Sequence, residues 1–301
     1  MASTRFQPDR ELSTRMVVVM FLLGLLYTGA IAYLIASGFN AVLVLVIAAG
    51  ALAAQWYFSD KVALAAMRAR EVTPAEAPDL HGMIDRLCAL ADMPKPRVAI
   101  ADIDAPNAFA TGRSQKHSVV VVTTGIMRRL DRAELEGVLA HELSHIAHRD
   151  VTVMTVASFL GILAGFIARM SIYSGIGRSR DQRAQAAMLV VVLVSIVVYA
   201  ISFVLLRALS RYREFAADRA AAQLTGQPSA LASALTKISG DMGAIPTKDL
   251  RRMEPVNAFF FAPMTGKTKG FSLHKLFASH PPLEARIAAL AKVANDLGRP
   301  L

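Results

Sequence analysis

No Asp, Glu, Lys or Arg occurs from Met16 through Ser59, a charge-free run of 44 residues. Such a stretch has almost nothing to offer water, and about 20 apolar residues suffice to cross a bilayer. One span cannot use the whole run, but two can, turning at Ser37-Gly38-Phe39-Asn40, where small and polar residues gather. The run also far exceeds the short apolar core of a cleaved signal peptide. Arg5, Arg10 and Arg15 precede it and Lys61, Arg68 and Arg70 follow it, while its midpoint carries no basic residue. The positive-inside rule then puts both flanks in the cytoplasm and the tip outside. Trp56 and Tyr57 close the second span as interfacial anchors.

Two further charge-free runs, Val151–Ala168 and Ala184–Leu206, also meet the length of a span, so two more crossings are expected. The loop between them holds Arg169, Arg178, Arg180 and Arg183 and would face outward, against the charge rule; a re-entrant or interfacial pair is the alternative. Hydrophobic residues make up 54% of the chain, which agrees with a membrane protein. The net charge of +10 is spread unevenly: −1 over residues 60–150, +3 over 169–183 and +7 over 207–301. Attraction to anionic lipid accounts for that pattern, and with no basic-aromatic module it excludes nucleic acid as a partner. The single cysteine, Cys88, rules out an intrachain disulfide and lies in an apolar helical run as a small core residue.

Between the apolar segments lies Asp131–Asp150, DRAELEGVLAHELSHIAHRD. Leu135, Val138, Leu139, Leu143 and Ile146 recur at helical spacing, and Asp131 with Glu134 forms a capping-box pattern. Within it stands His141-Glu142-Leu143-Ser144-His145. Residues four apart share a helix face, so the two imidazoles can converge on one metal ion, with Glu142 in reach of an activated water as general base. A catalytic zinc site needs a third protein ligand and an open position. His148 is rotated away from the pair and reads as structural. In Arg211-Tyr212-Arg213-Glu214-Phe215-Ala216-Ala217-Asp218, which continues the last apolar helix, Glu214 and Asp218 share a face. Glu214 can ligate while Asp218 accepts a hydrogen bond from a ligating histidine.

Around this helix, residues 77–93 are expected to be helical, and Pro96–Ile100, Asn107–Gly112 and His117–Thr124 to be strands of a small antiparallel sheet. His117 reads as an exposed structural histidine. Helices are expected near Ser229–Ser239 and Leu283–Ala294. The aromatic cluster Asn257–Ala262 suits either the bilayer surface or a core.

HELSH, then REFAAD about 70 residues later, then FASHPPLEARI near the C-terminus resemble the HtpX-like membrane zinc metallopeptidases, gluzincins related to the CAAX prenyl proteases. The resemblance covers nearly the whole chain. It implies one Zn2+ per chain held by His141, His145 and Glu214, with Glu142 as base and Asp218 orienting a ligand. It further implies that His280 stabilises the oxyanion and that the strand holding Asn107, Ala108 and Phe109 aligns the substrate peptide. The expected fold is mainly α: a transmembrane hairpin (16–59) after a cytoplasmic N-terminus (1–15), a zincin-like α+β catalytic domain in two parts (60–150 and 207–301), and two apolar helices (151–206) between them. The expected activity is a zinc endopeptidase of the bacterial inner membrane, cytoplasm-facing, acting on misfolded membrane proteins in stress-response quality control, with membrane lipid as its other partner. A CAAX-type prenyl-peptide protease is a close alternative, although four apolar runs are few for it. A membrane scaffold with structural zinc is a second, lacking an evident fourth ligand. Oligomeric state is not legible.

Overall fold

The computed structural model describes residues 10–36, 40–150, 153, 182–244, 281–299 and 301. Among these, residues 59–150, 210–244 and 281–299 belong to one compact unit, and residues 10–36, 40–58 and 182–209 to another.

Helices α1 (Arg10–Ala36) and α2 (Ala41–Ala66) take up the long charge-free run and extend past both its ends. At the start of α1 the overhanging turn carries a Glu11–Arg15 pair, 2.6 Å apart and one turn from each other. Then follow β1 (Arg70–Glu71), α3 (Pro78–Ala91), β2 (Arg97–Ala101), β3 (Ala108–Ser114), β4 (His117–Thr123), α4 (Thr124–Arg129) and α5 (Arg132–Ala147). After residue 181 come α6 (Gln182–Thr225), α7 (Pro228–Ala244) and α8 (Leu283–Asp296). The expected span at 151–168 apart from Val153, the loop to 181, the turn at 37–39, the cluster at 257–262 and His280 lie outside the described residues.

The sheet is mixed rather than antiparallel. Its order is β1-β2-β4-β3, with β2 parallel to β4 and the other two pairings antiparallel. Val119, Val120, Val121 and Val122 are all fully buried, so both faces of β4 are covered, and its two edges are taken by β2 and β3. β4 therefore sits between β2 and β3, and β3 becomes an edge.

The crossover from β2 to β3 is stitched down by Thr123, whose hydroxyl bonds Ala105 O at 2.9 Å and receives Asn107 N at 2.9 Å. Gly125, in the first turn of α4, donates to Ile103 O at 3.0 Å. A methyl at Gly125 would overlap the backbone carbonyl of Asp104.

Helix α5 begins with the expected capping box: Glu134 N donates to Asp131 Oδ1 and Asp131 N to Glu134 Oε2, both at 2.9 Å. The other oxygen of Glu134 takes Ser233 and Lys237 of α7, each at 2.6 Å, tying the start of α5 to that helix. All five apolar residues at helical spacing are buried. Burial is not confined to one face, however; every residue from Glu134 to Ile146 is inside, so α5 is a central helix with its polar face turned into a buried site. Cys88 is buried as expected, and burial followed by the nearby Asp85 pushes its thiol up to about 11. His117 is exposed, its Nδ1 3.1 Å from Ser114 Oγ.

In the other unit Val19, Leu23 and Leu209 are buried together, and Tyr27 Oη meets Ser202 Oγ at 3.1 Å. The outer faces carry exposed apolar residues, among them Val17, Phe21 and Leu25 on α1 and Leu189, Leu193 and Val197 on α6. Among the described residues, two helices, over Arg10–Tyr33 and Leu189–Thr225, are long and apolar enough to cross a membrane.

Because the crowded neighbour of Gly125 is backbone, Gly125→Ala is expected to destabilise the folded chain by about 1–3 kcal/mol. Denaturant unfolding in detergent reads this directly; a wild-type midpoint would mean that the crossover loop yields freely.

Candidate metal centre

Two helices supply the centre. α5 presents His141 and His145 from successive turns, and α6 presents Glu214 and Asp218 from successive turns. The Nε2 atoms of the two histidines are 3.2 Å apart, and the two oxygens of Glu214 lie 3.6 Å from one Nε2 each. Donor atoms of all three side chains fall within 4.8 Å of one another, and all three residues are buried.

The remaining imidazole nitrogens settle what this cluster is built for. His141 Nδ1 is 2.9 Å from Asp218 Oδ1, and His145 Nδ1 is 2.8 Å from Asp150 Oδ2. A carboxylate can only accept, so each Nδ1 carries the proton and each Nε2 is left a lone pair. Two lone pairs and a carboxylate aimed at one point repel unless a cation sits among them. Charge makes the same case. Glu142, Asp150, Glu214 and Asp218 are buried carboxylates, and the guanidiniums pairing with them are Arg213, 3.3 Å from Asp150, and Arg286, 2.6 Å from Asp218. With neutral imidazoles the cluster carries two negative charges in excess, which one zinc ion would neutralise. Mixed nitrogen and oxygen donors in this number suit zinc as well.

The surroundings act on the site's protons. For His145, burial works against the charged ring, but hydrogen bonds to Asp150 and Glu214 outweigh it and lift the ring to about 9. His141 is raised likewise, burial being overcome by Asp218 and Glu214. Glu142 is raised by burial, with the two histidines pulling the other way.

Asp150 was not singled out in the sequence, and its geometry explains why. Five residues past His145 on an unbroken helix it would point away. Instead α5 ends at Ala147, His148 caps it, and Arg149 takes a left-handed conformation at φ 60°, which swings Asp150 back. That position usually falls to glycine, so an arginine there gave no signal. His148, as read, is not a ligand. Arg213 and Arg286 were missed because each registers as a surface charge until its partner is known.

Glu142 is 4% exposed, and its Oε2 accepts from Ala110 N at 2.9 Å. Ala110 lies on β3, the edge strand. Asn107, just before β3, exchanges its backbone groups with Thr123, and Ala108 and Phe109 are buried in the strand. By the alternation of an antiparallel ladder, Phe109 and Thr111 turn their backbone groups toward β4, while Ala108 and Ala110 turn theirs to the other side of the strand, where Ala110 N meets Glu142.

Residues 74–294 match the model of peptidase family M48. The chain belongs to peptidase family M48. The match takes in both ligand helices, and His141, His145 and Glu214 form the zinc site of an M48 metallopeptidase. This M48 peptidase is 58% identical over 296 residues to Protease HtpX homolog 1 of Streptomyces coelicolor, covering 98% of this chain and 97% of that one. It is 50% identical over 291 residues to Protease HtpX homolog of Moorella thermoacetica, covering 96% of each. Its fold resembles the crystal structure of S. mikatae Ste24p, with a TM-score of 0.52 at 17% identity, covering 94% of this chain and 66% of that one.

The raised His145 sets the pH dependence of loading. Without metal the ring keeps its proton at neutral pH, and zinc must displace it. Zinc affinity should therefore climb with pH and level off above about 9. Calorimetry in buffers of different ionisation enthalpy should detect proton release at pH 7 that vanishes beyond that point. The same shift stabilises the metal-free fold below the ordinary imidazole value of 6.5, and that contribution disappears as pH rises through about 9.

Proposed function

We propose that this M48 peptidase is a membrane-embedded endopeptidase that hydrolyses peptide bonds of membrane proteins, with Glu142 as its general base. The observation that carries the reading is Glu142 itself. It is a buried carboxylate, held at one oxygen by a backbone amide, on the residue next to a zinc-binding histidine. A purely structural site would have no use for it.

Bound zinc supplies Lewis-acid polarisation of the scissile carbonyl and makes a water acidic enough to give up its proton near neutral pH. The chain supplies the rest. Glu142, raised by burial, takes that proton and passes it to the leaving amine. The Ala110 amide keeps the carboxylate from rotating away. A substrate running along the outer side of β3 would pair with the outward backbone groups of Ala108 and the carbonyl of Ala110, whose N–H stays on Glu142. Asn107 and Phe109 would then contribute to the shape of that edge rather than to its hydrogen bonds. His280 would donate to the developing oxyanion, a contribution of about 3 kcal/mol; its support is the resemblance of the His280-Pro281-Pro282 stretch to the family pattern.

The membrane reading extends the two candidate spans to four: the hairpin over 16–59 and the pair within 151–206. The basic residues flanking the hairpin support a cytoplasmic active site, in the plasma membrane of a bacterial cell. Both relatives compared above are named proteases, and quality control of misfolded membrane proteins is the role proposed for this chain.

Glu142→Gln should keep stoichiometric zinc in detergent-purified protein and lower casein cleavage by about 10²–10⁴-fold. Glu214→Ala should lose zinc and cleavage together. Retained proteolysis in Glu142→Gln would rule out the mechanism.

A further inference from the structure

Arg286 heads the largest fully buried side chains among the described residues, at 2% exposure. A guanidinium keeps its charge at any working pH, so burying one is costly unless every face meets a partner. The partners here are specific. Arg286 Nε donates to Asp218 Oδ2 at 2.8 Å and Nη2 to Oδ1 at 2.6 Å, a two-point clamp. Its third nitrogen, Nη1, lies 3.7 Å from Glu214 Oε2. Asp218 Oδ1 is the same atom that faces His141 Nδ1. One side chain of α8 thus grips both acidic residues of α6, one a zinc ligand and the other the partner of a zinc ligand.

We propose that Arg286 is a positioning residue of the zinc site, which orients His141 through Asp218 and restrains Glu214 by charge. The two acids stand one helical turn apart on the same face, where like charges repel. The guanidinium between them removes that repulsion and leaves Asp218 a single rotamer. Fixing the carboxylate fixes the imidazole ring plane, and with it the direction of the Nε2 lone pair. His145 has its own arrangement of the same kind, Asp150 backed by Arg213, so each histidine is steadied by a carboxylate that is steadied by an arginine. The two are not equivalent. Arg213 reaches Asp150 with one nitrogen at 3.3 Å, whereas Arg286 makes the two-point clamp and also faces a ligand.

This inference uses the zinc site and, for its kinetic arm alone, the hydrolytic reading above. The test takes the full chain purified in detergent, with Zn2+ as ligand and its affinity set by competition with a chelating dye. Arg286→Gln is expected to weaken zinc binding by about 10- to 100-fold, as is Asp218→Asn. The double variant should lose clearly less than the sum of the two single losses, because the arginine acts mainly through that aspartate and only its weaker hold on Glu214 is independent of it. Arg286→Lys keeps the charge without the two-point geometry; it should fall between wild type and Arg286→Gln, and it decides the matter if Arg286→Gln does not fold. Cobalt substitution adds a readout of ligand geometry: the visible bands should shift in Arg286→Gln while far-UV circular dichroism stays unchanged. At saturating zinc, the loss should appear in kcat more than in KM. Wild-type zinc affinity in either Arg286 variant, or additive losses in the double, overturns the proposal. Failure of wild type to cleave any peptide would overturn the hydrolytic reading and leave the zinc affinities to decide on Arg286.

Discussion

Two imidazole nitrogens 3.2 Å apart, which must share either a metal ion or a proton between them, form the interaction on which the rest of the catalytic unit depends. Such an arrangement is unfavourable without a cation, and the fold spends much of its polar chemistry keeping it in place. Asp218 and Asp150 hold the outer nitrogens, Glu214 completes the donor set, and Arg286 and Arg213 hold the aspartates. Each layer exists to stop the one inside it from relaxing. The outcome is a buried charge cluster balanced by a divalent ion or, without one, by protons on the histidines.

That cluster explains a helix that otherwise breaks a rule. Amphipathic helices of small domains normally keep one face in water. α5 is buried all round, with Glu134, Glu136, His141, Glu142, Ser144 and His145 inside. Each of these polar groups has a partner near it. Glu134 has its capping box and Lys237, Glu136 has Arg86, Ser144 bonds His141 O at 2.8 Å, and the rest face the zinc site. Burial of charge is tolerable where pairing is complete, and the sheet edge beside α5 supplies the Ala110 amide that completes it for Glu142.

Helix α6 unites two chemistries in one element. Over its first part it is apolar, with Leu189, Leu193 and Val197 exposed, and in its later turns it carries Glu214 and Asp218. Because a helix conserves angular phase along its length, the positions of the two acids relative to each other are set by a spacing of four, whatever surrounds the apolar part. A metal ligand can thus be delivered by a segment selected mainly for hydropathy.

Much of this was legible before any coordinates. Charge-free runs of defined length announce long apolar helices, and among the described residues two are long enough to cross a membrane. A period of four brings His141 to His145, and Glu214 to Asp218, because local helix geometry does not depend on context. The capping box at Asp131, the burial of Cys88 and the exposure of His117 were readable for the same local reason. What tertiary structure alone decided was everything that joins distant segments or depends on a turn. The sheet is mixed because β4 pairs with β2 in parallel and with β3 in antiparallel, and pairing direction is not written into any single strand. Asp150 reaches His145 only because Arg149 adopts a left-handed turn that its residue type does not advertise. Arg286 enters the site 68 residues after Asp218; it stands in the FASHPPLEARI stretch, but that pattern does not say which residue it grips. Periodicity encodes which residues share a face; which faces meet is settled by packing and by charges that must find partners once water is gone.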